Sequence, residues 1–113
     1  MTRDTRLPAH LEIGAMVRLA QAQGGMATVL SKGERDAGTI LLVTISRGIG
    51  GQLYERMPQL DGTRSFVRTK SQDTEKPYEF SEYLERRRGQ DSDIWILEVD
   101  IDDPERFIAD LPV

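Results

Sequence analysis

The sequence predicts an α+β fold, a mostly antiparallel sheet of about five strands with helices packed on it, and three observations support it. Residues 26–69 hold four short apolar segments separated by polar or glycine-rich turns, which is typical of neighbouring strands. Residues 8–23 and 77–88 show the apolar spacing of helices. Residues 93–101 add one strand after the second helix. The predicted order of elements is therefore α-β-β-β-β-α-β-α.

Length and composition narrow the class of protein. The chain has 113 residues, which predicts one domain spanning residues 1–113. It contains no cysteine, so disulfides, thiolate nucleophiles and cysteine-based metal centres are excluded. We see no apolar run of signal-peptide or membrane-span length, and we therefore expect a cytoplasmic protein without a membrane partner.

Charge is distributed unevenly along the chain. Residues 1–70 carry ten Lys/Arg against six Asp/Glu, a net +4, and residues 71–113 carry five against thirteen, a net −8. Both halves can mix on one surface, or the molecule can be bipolar and self-associate or steer a charged partner. The overall −4 disfavours nucleic acid as a partner, because a strongly basic patch is missing.

The first helix, predicted over residues 8–23 and ended by Gly24-Gly25, carries two apolar stripes instead of one. The first stripe consists of Ile13, Met16, Val17 and Ala20. The second consists of Leu11, Ala15, Leu19 and Ala22. A surface helix needs only one stripe, so this helix should pack on the sheet and on something else. The second stripe is a predicted interface, covered either by the same helix of a second copy or by another helix of the same chain.

Four strands and their turns follow. We expect strands at Met26–Ser31, 39–45, 52–57 and 65–69, with residues 39–45 central because they are apolar on both faces. Gly48-Ile49-Gly50-Gly51 is predicted to be the tight turn of a hairpin. The four strands are expected to form a meander.

The second helix, residues 77–88, directs Phe80, Tyr83 and Leu84 inward and is predicted to end with Gly89 as its C-terminal cap. Arg87 projects from the centre of that apolar stripe. Either the stripe ends in solvent at this point, or Arg87 reaches a buried carboxylate or a partner chain.

The strand at residues 93–101 is the one around which the fold is organised. Trp95, Leu97, Val99 and Ile101 alternate onto one face, and Ile94 and Ile96 lie on the other. Such a strand lies deep in a sheet and brings the only tryptophan to the core. A short helix at residues 103–110 follows, with Asp102 as its predicted N-cap.

Three stretches resemble a small alphaproteobacterial family, domain of unknown function 1491. They are Gly24-Gly25 after the first helix, Asp36-Ala-Gly-Thr-Ile-Leu-Leu-Val, and Asp93-Ile-Trp-Ile-Leu-Glu-Val. The likeness covers roughly residues 9–101. It implies a cytoplasmic bacterial protein of one domain, and it supplies no catalytic residue because the family has no established activity.

Residues capable of catalysis or metal binding are few. His10 is the only histidine, at the start of a helix, where the helix dipole disfavours a cation. Glu98, Asp100 and Asp102 alternate on one strand face and could hold Mg²⁺ or Ca²⁺ through oxygen ligands. The spacing and glycine of a calcium loop are missing, so these acids are better explained as a wet strand face. We predict no metal, no cofactor and no catalytic residue.

An aromatic–arginine pattern on two strands is the main candidate for ligand binding. Tyr54 and Arg56 share one strand face, and Phe66 and Arg68 share another, an arrangement that single-strand RNA binders use to stack bases. The predicted binding residues are Arg47, Tyr54, Arg56, Arg64, Phe66, Arg68 and Arg87. Gly48–Gly51 does not add a phosphate site, since no helix follows it.

We therefore expect a non-enzymatic domain that works by protein–protein contact, most simply as a homodimer. The alternative is a small binding module for an anionic ligand or RNA on the arginine-lined sheet face.

Overall fold

The computed structural model describes residues 7–111, in which three helices and five strands follow the predicted order. The helices are α1 (Ala9–Ala22), α2 (Tyr78–Gln90) and α3 (Pro104–Ala109). The strands are β1 (Met26–Ser31), β2 (Ile40–Ser46), β3 (Ile49–Pro58), β4 (Arg64–Ser71) and β5 (Trp95–Asp100). The predicted α+β class, with a sheet of five strands, is confirmed.

The five strands lie in the order β1-β5-β2-β3-β4. β5 is parallel to β2 and antiparallel to β1, and the other pairs are antiparallel, so the sheet is mixed. The predicted four-strand meander is wrong, because β5 inserts between β1 and β2 and only β2, β3 and β4 form a meander. β5 is buried along most of its length, because it lies inside the sheet and helices cover both of its apolar faces.

Helices cover both faces of the sheet and create two apolar cores. Trp95, Leu97, Val99 and Ile101 lie in the larger core with residues of α1 and α3. Ile94 and Ile96 lie in the smaller core with Phe80 and Leu84 of α2. The alternation predicted for this strand is therefore confirmed on both faces.

Trp95 anchors the larger core and is only 4% exposed, as predicted. Its Nε1 donates a hydrogen bond of 2.7 Å to the carbonyl oxygen of Glu34, in the loop that joins β1 to β2. This loop crosses the start of β5 closely. A Cβ at Gly33 or Gly38 would lie 2.2 or 2.4 Å from the carbonyl oxygen of Asp93, so only glycine fits at either position.

The ends of α1 are held by the backbone. At its start, the amides of Ala9 and His10 donate to the carbonyl oxygens of Asp36 and Arg35 at 2.8 and 2.9 Å. The helix ends where Gly24 takes a φ of +83°, in agreement with the predicted glycine stop. The first feature ties the start of α1 to the loop between β1 and β2, and the second lets the chain turn from α1 into β1.

The hairpin between β2 and β3 differs from its prediction. The turn is formed by Arg47 and Gly48, with φ values of 54° and 81°, whereas Gly50 and Gly51 belong to β3. A two-residue turn with positive φ at both positions matches the twist of the strands that it joins. The Asp100 carboxylate stabilises it by accepting a hydrogen bond from the Arg47 amide at 2.8 Å.

Two predicted caps are also wrong. Gly89 lies inside α2, which continues to Gln90 and ends at Asp91, whose backbone is extended and whose amide donates to the Arg87 carbonyl oxygen. The N-cap of α3 is Asp103, whose carboxylate accepts a hydrogen bond from the Arg106 amide at 3.1 Å. Pro104 then occupies the first turn of the helix, so the capping residue is one position later than predicted.

Candidate interaction surfaces

The aromatic–arginine face exists, but α1 covers much of it. Register places Tyr54 opposite Arg68 and Arg56 opposite Phe66, so all four side chains share one face of β3 and β4. Tyr54 and Phe66 are each 9% exposed and belong to the larger core. Bases could stack on these rings only if α1 moved away.

Arg56 is held in an ion pair between α1 and the sheet. Its guanidinium donates two hydrogen bonds to the Glu12 carboxylate of α1, one of them 3.3 Å long. The side chains of Arg56 and Glu12 are only 10% and 14% exposed. The Arg56 guanidinium also lies 4.7 Å from the centre of the Phe66 ring. Arg56 therefore joins a helix to the sheet, and its charge is already compensated.

The remaining arginines of the predicted set do not converge. Arg64 and Arg68 are exposed on β4, whereas Arg47 lies in the turn at the start of β3. At the rise of a strand, Arg47 is about 30 Å from Arg64 and about 20 Å from Arg68. Arg47 lines a shallow cavity of about 610 Å³ together with Ser46, Ile49, Gly50, Asp102 and Pro104. Its Nε is 3.8 Å from the Asp102 carboxylate, and both side chains are largely exposed.

Arg87 lies on the other face of the sheet and reaches a carboxylate, one of the two outcomes expected for it. Its Nη1 is 2.9 Å from Glu55 Oε1 and 3.0 Å from the Tyr83 hydroxyl. Burial alone would lower the pKa of the Arg87 guanidinium, but its hydrogen bonds to Tyr83 and Glu55 outweigh that effect and raise the pKa. This arginine stays fully charged and ties α2 to β3.

Further cations gather around Tyr83. Lys70 Nζ lies 4.8 Å from the centre of its ring, and the guanidinium carbons of Arg86 and Arg87 each lie 5.8 Å from it. Of the three cations near the ring, Glu55 forms an ion pair with Arg87 within the described part of the chain. Arg86 and Arg87 are near the ring simply because they follow it by three and four residues on one helix.

The second stripe of α1 divides between the core and the surface. Leu19 packs against the larger core, and Ala15 is half-buried. Leu11 and Ala22 are exposed. On the helical wheel Leu19 lies beside Gln23, whose amide donates to Asp110 next to α3, so this part of the stripe faces its own chain. The predicted interface role of the stripe stays a prediction.

The outer edge of β1 is a surface that the sequence reasoning missed. Among residues 7–111, β1 pairs only with β5, which leaves its other side as an edge of the described sheet. Met26 is 71% exposed, and Val29 and Leu30 are also exposed. The strand Met-Ala-Thr-Val-Leu-Ser contains no charged residue, and that lack of charge was the available signal.

Hydrogen-bond parity identifies the backbone groups at this edge. The amides of Trp95 and Ile101 donate to β2-side carbonyl oxygens of Thr39 and Ile45, so the odd-numbered residues of β5 point toward β2. Its even-numbered residues therefore point toward β1, where Glu98 is opposite Thr28. It follows that Thr28 bonds to β5, while the N–H and C=O groups of its two neighbours point outward.

The opposite edge of the sheet, β4, is of a different kind. Its sequence Arg-Ser-Phe-Val-Arg-Thr-Lys-Ser places three cations in eight residues. Charged side chains along an edge strand discourage pairing with another chain, and lysine is used most often for that purpose. One edge of this sheet thus carries the usual protection and the other does not.

The acidic residues of β5 do not form an evident metal site. Glu98 and Asp100 are half-buried, and Asp100 is used to support the hairpin turn. Within the described range, no three His, Asp or Glu side chains lie close enough together to hold a metal ion.

None of the helices between residues 7 and 111 has the length and apolar character needed to cross a bilayer.

Comparison with known proteins gives structural relatives but no activity. A crystal structure of a DUF1491 family protein from Caulobacter crescentus is 28% identical, with a TM-score of 0.76, covering 90% of this chain and 94% of that one. A solution structure of a protein from A. tumefaciens is 29% identical, with a TM-score of 0.73, covering 92% and 93%. No curated protein matches the chain. The sequence matches the family described as a protein of unknown function (DUF1491) over residues 7–109, and the chain belongs to this family.

Proposed function

We propose that this protein is a non-enzymatic interaction domain that binds a protein partner by adding the partner's strand to the outer edge of β1. The observation that carries the proposal is the contrast between the uncharged edge of β1 and the cationic edge of β4. We place the domain in the bacterial cytoplasm, which agrees with the absence of cysteine and with its alphaproteobacterial relatives.

Strand addition fits the groups that β1 offers. Outward N–H and C=O groups at Ala27 and Val29 provide main-chain hydrogen bonds, and the exposed side chains of Met26, Val29 and Leu30 provide apolar contacts. Backbone bonds give affinity in this mode of recognition, and alternate side chains give specificity. An uncharged apolar edge left without a partner is an aggregation hazard, which favours a partner that covers it.

The alternative function is binding of an anionic ligand or RNA. Arg64 and Arg68 on β4 support it, because both are exposed. The buried state of Tyr54 and Phe66 weighs against base stacking, and the ion pair of Arg56 weighs against phosphate contact there. A fluorescence titration with single-stranded RNA at low salt tests this alternative, which requires Arg68→Glu to weaken binding and added salt to abolish it.

The proposed function is tested with three forms of the tagged chain in an alphaproteobacterial host. Val29→Pro removes the outward-pointing amide of Val29 and keeps the hydrogen bonds between β1 and β5, because that amide does not point toward β5. Proline is tolerated at such a position of an edge strand. Val29→Ile keeps the amide, the branched side chain and the apolar surface, and serves as the matched control. We expect at least one protein, either a host protein or an untagged copy of this chain, to be recovered with the tagged wild type and with tagged Val29→Ile. That protein should be lost with tagged Val29→Pro. Equal recovery with all three forms would refute the proposal, provided that Val29→Pro melts close to the wild type.

A further inference from the structure

We infer that the strand added to β1 is β1 of a second copy of this chain, antiparallel and centred on Thr28, so that two five-stranded sheets join into one. This inference rests on the proposed function and names its partner. Four observations carry it: hydrogen-bond parity, the bulge in β1, the exposed apolar side chains, and the positions of the nearest charges.

Parity and the bulge select the register. When two copies of β1 pair in an antiparallel way about a two-fold axis, residues whose N–H and C=O groups point outward must lie opposite one another. The axis can therefore pass through Ala27, Thr28 or Val29. An axis through Thr28 places Ala27 of each copy opposite Val29 of the other. Each of these two pairs exchanges two backbone hydrogen bonds, which gives four in all. An Ala27 axis would need the Gly25 amide, which already donates to Ala20 at 2.8 Å. A Val29 axis would need Ser31, which lies beyond a register shift in β1.

The side chains brought together by this register are self-complementary. Met26 comes opposite Leu30 of the second copy, so the most exposed apolar side chain of β1 is covered by another exposed one. Ala27 comes opposite Val29, and the two Thr28 side chains meet at the axis. Cross-strand apolar and Thr–Thr pairs both stabilise a sheet.

Charge does not oppose the pairing. β1 has no charged residue, so no like charges meet across the axis. The nearest acid on the same face is Glu98, which lies one strand inward, directly opposite Thr28. Glu98 of the two copies would be separated by three strand spacings, about 14 Å, which is more than a Debye length at physiological salt. The β4 edge could not pair with itself in this way, because its arginines and lysine would face one another.

A disulfide trap tests the register directly, because the chain has no cysteine of its own. Thr28 of each copy would form a non-hydrogen-bonded pair with Cα atoms about 4.5 Å apart, within the range that a disulfide spans. We expect Thr28→Cys to give a covalent dimer under mild oxidation at low protein concentration. Met26→Cys is the matched control: its two copies would lie about 14 Å apart, so it should stay uncrosslinked.

Light scattering on the reduced proteins completes the test. We expect wild type and Val29→Ile at twice the chain mass of 12.8 kDa, and a two-fold lower mass for Val29→Pro. A wild type that stays monomeric at every concentration, or a Met26→Cys that crosslinks as readily as Thr28→Cys, would overturn the inference. The proposed function would survive either result if Val29→Pro still lost a different protein from the host. It would fail if Val29→Pro changed neither mass nor recovery.

Discussion

The ion pair between Glu12 and Arg56 offers a quantitative test of how α1 is held on the sheet. Glu12→Gln preserves the shape of the side chain and removes its charge. Arg56, only 10% exposed, would then be a nearly buried cation without a counter-charge. Removing one partner of a buried ion pair costs about 3–5 kcal/mol, a large share of the roughly 5–15 kcal/mol that stabilises a domain. At about 4 °C for each kcal/mol in a chain of this size, the melting temperature should fall by roughly 12–20 °C.

Urea unfolding followed by tryptophan fluorescence measures this cost, since Trp95 is the only tryptophan and lies in the same core. The double variant Glu12→Gln with Arg56→Met removes both charges and should recover most of the lost stability, so it should be about 2–3 kcal/mol more stable than Glu12→Gln alone. Glu85→Gln breaks an exposed ion pair with Arg88 and should change the free energy of unfolding by about 0.5 kcal/mol at most. A Glu12→Gln variant as stable as Glu85→Gln would refute the reasoning.

Four further outcomes are expected. Trp95→Ala should cost about 3–5 kcal/mol in urea unfolding followed by circular dichroism, because it opens a cavity and leaves a loop carbonyl without its donor; a loss under 1 kcal/mol would contradict this. Leu19→Glu should lower stability by about 2 kcal/mol or more, while Leu11→Glu at the exposed end of the stripe should be tolerated; a lower solution mass for a well-folded Leu11→Glu would instead show that the stripe is an interface. Hydrogen bonds from Thr63, of which the one from its hydroxyl has the largest effect, hold the pKa of Asp61 below its ordinary value. Thr63→Val should therefore move the NMR titration midpoint of the Asp61 carboxyl to higher pH. An unchanged midpoint would exclude the hydroxyl as the cause. Millimolar Mg²⁺ or Ca²⁺ should leave the melting temperature unchanged, and a saturable rise with one cation would point to a site on the acidic face of β5.

Local patterns predicted the elements of this fold well. The alternation in residues 94–101 predicted which side chains enter each of the two cores, because a strand has only two faces and their burial leaves a period of two. The glycine pair after α1 predicted the end of that helix for a similarly local reason. The error at Gly48–Gly51 arose because several neighbouring glycines offered positive φ and the turn uses only Gly48 among them, beside Arg47. The error at Gly89 arose because a glycine near the end of a helix need not take positive φ, and α2 continues through it to Gln90.

No local sequence pattern, in contrast, predicted the order of the strands in the sheet. Alternation predicts that β5 is buried but not between which strands it lies, and the meander was the simplest order of neighbours. The identity of the free edge depends on that order, so the uncharged sequence of β1 could not by itself show that this strand lies at an edge.

The fate of Arg56 depended on distant residues in the same way. Its partner Glu12 is 44 residues away, on a helix whose position over β3 follows only from the assembled sheet. The pattern of an arginine beside aromatic residues therefore predicted a binding face. In the folded protein, Arg56 instead forms an ion pair with Glu12.

The insertion of β5 between β1 and β2 also determines when this protein can fold. Within residues 7–111, β1 and β2 are joined in the sheet only through β5, which follows α2 in the chain. Before β5 emerges from the ribosome, a nascent chain can close the hairpins of β2, β3 and β4, but β1 has no neighbouring strand to pair with. The closing contacts are long-range, which slows folding and leaves apolar strands exposed in the meantime. A chain truncated before Trp95 should therefore be a target for chaperones and proteases, and β1 should join the sheet only after β5 has been synthesised.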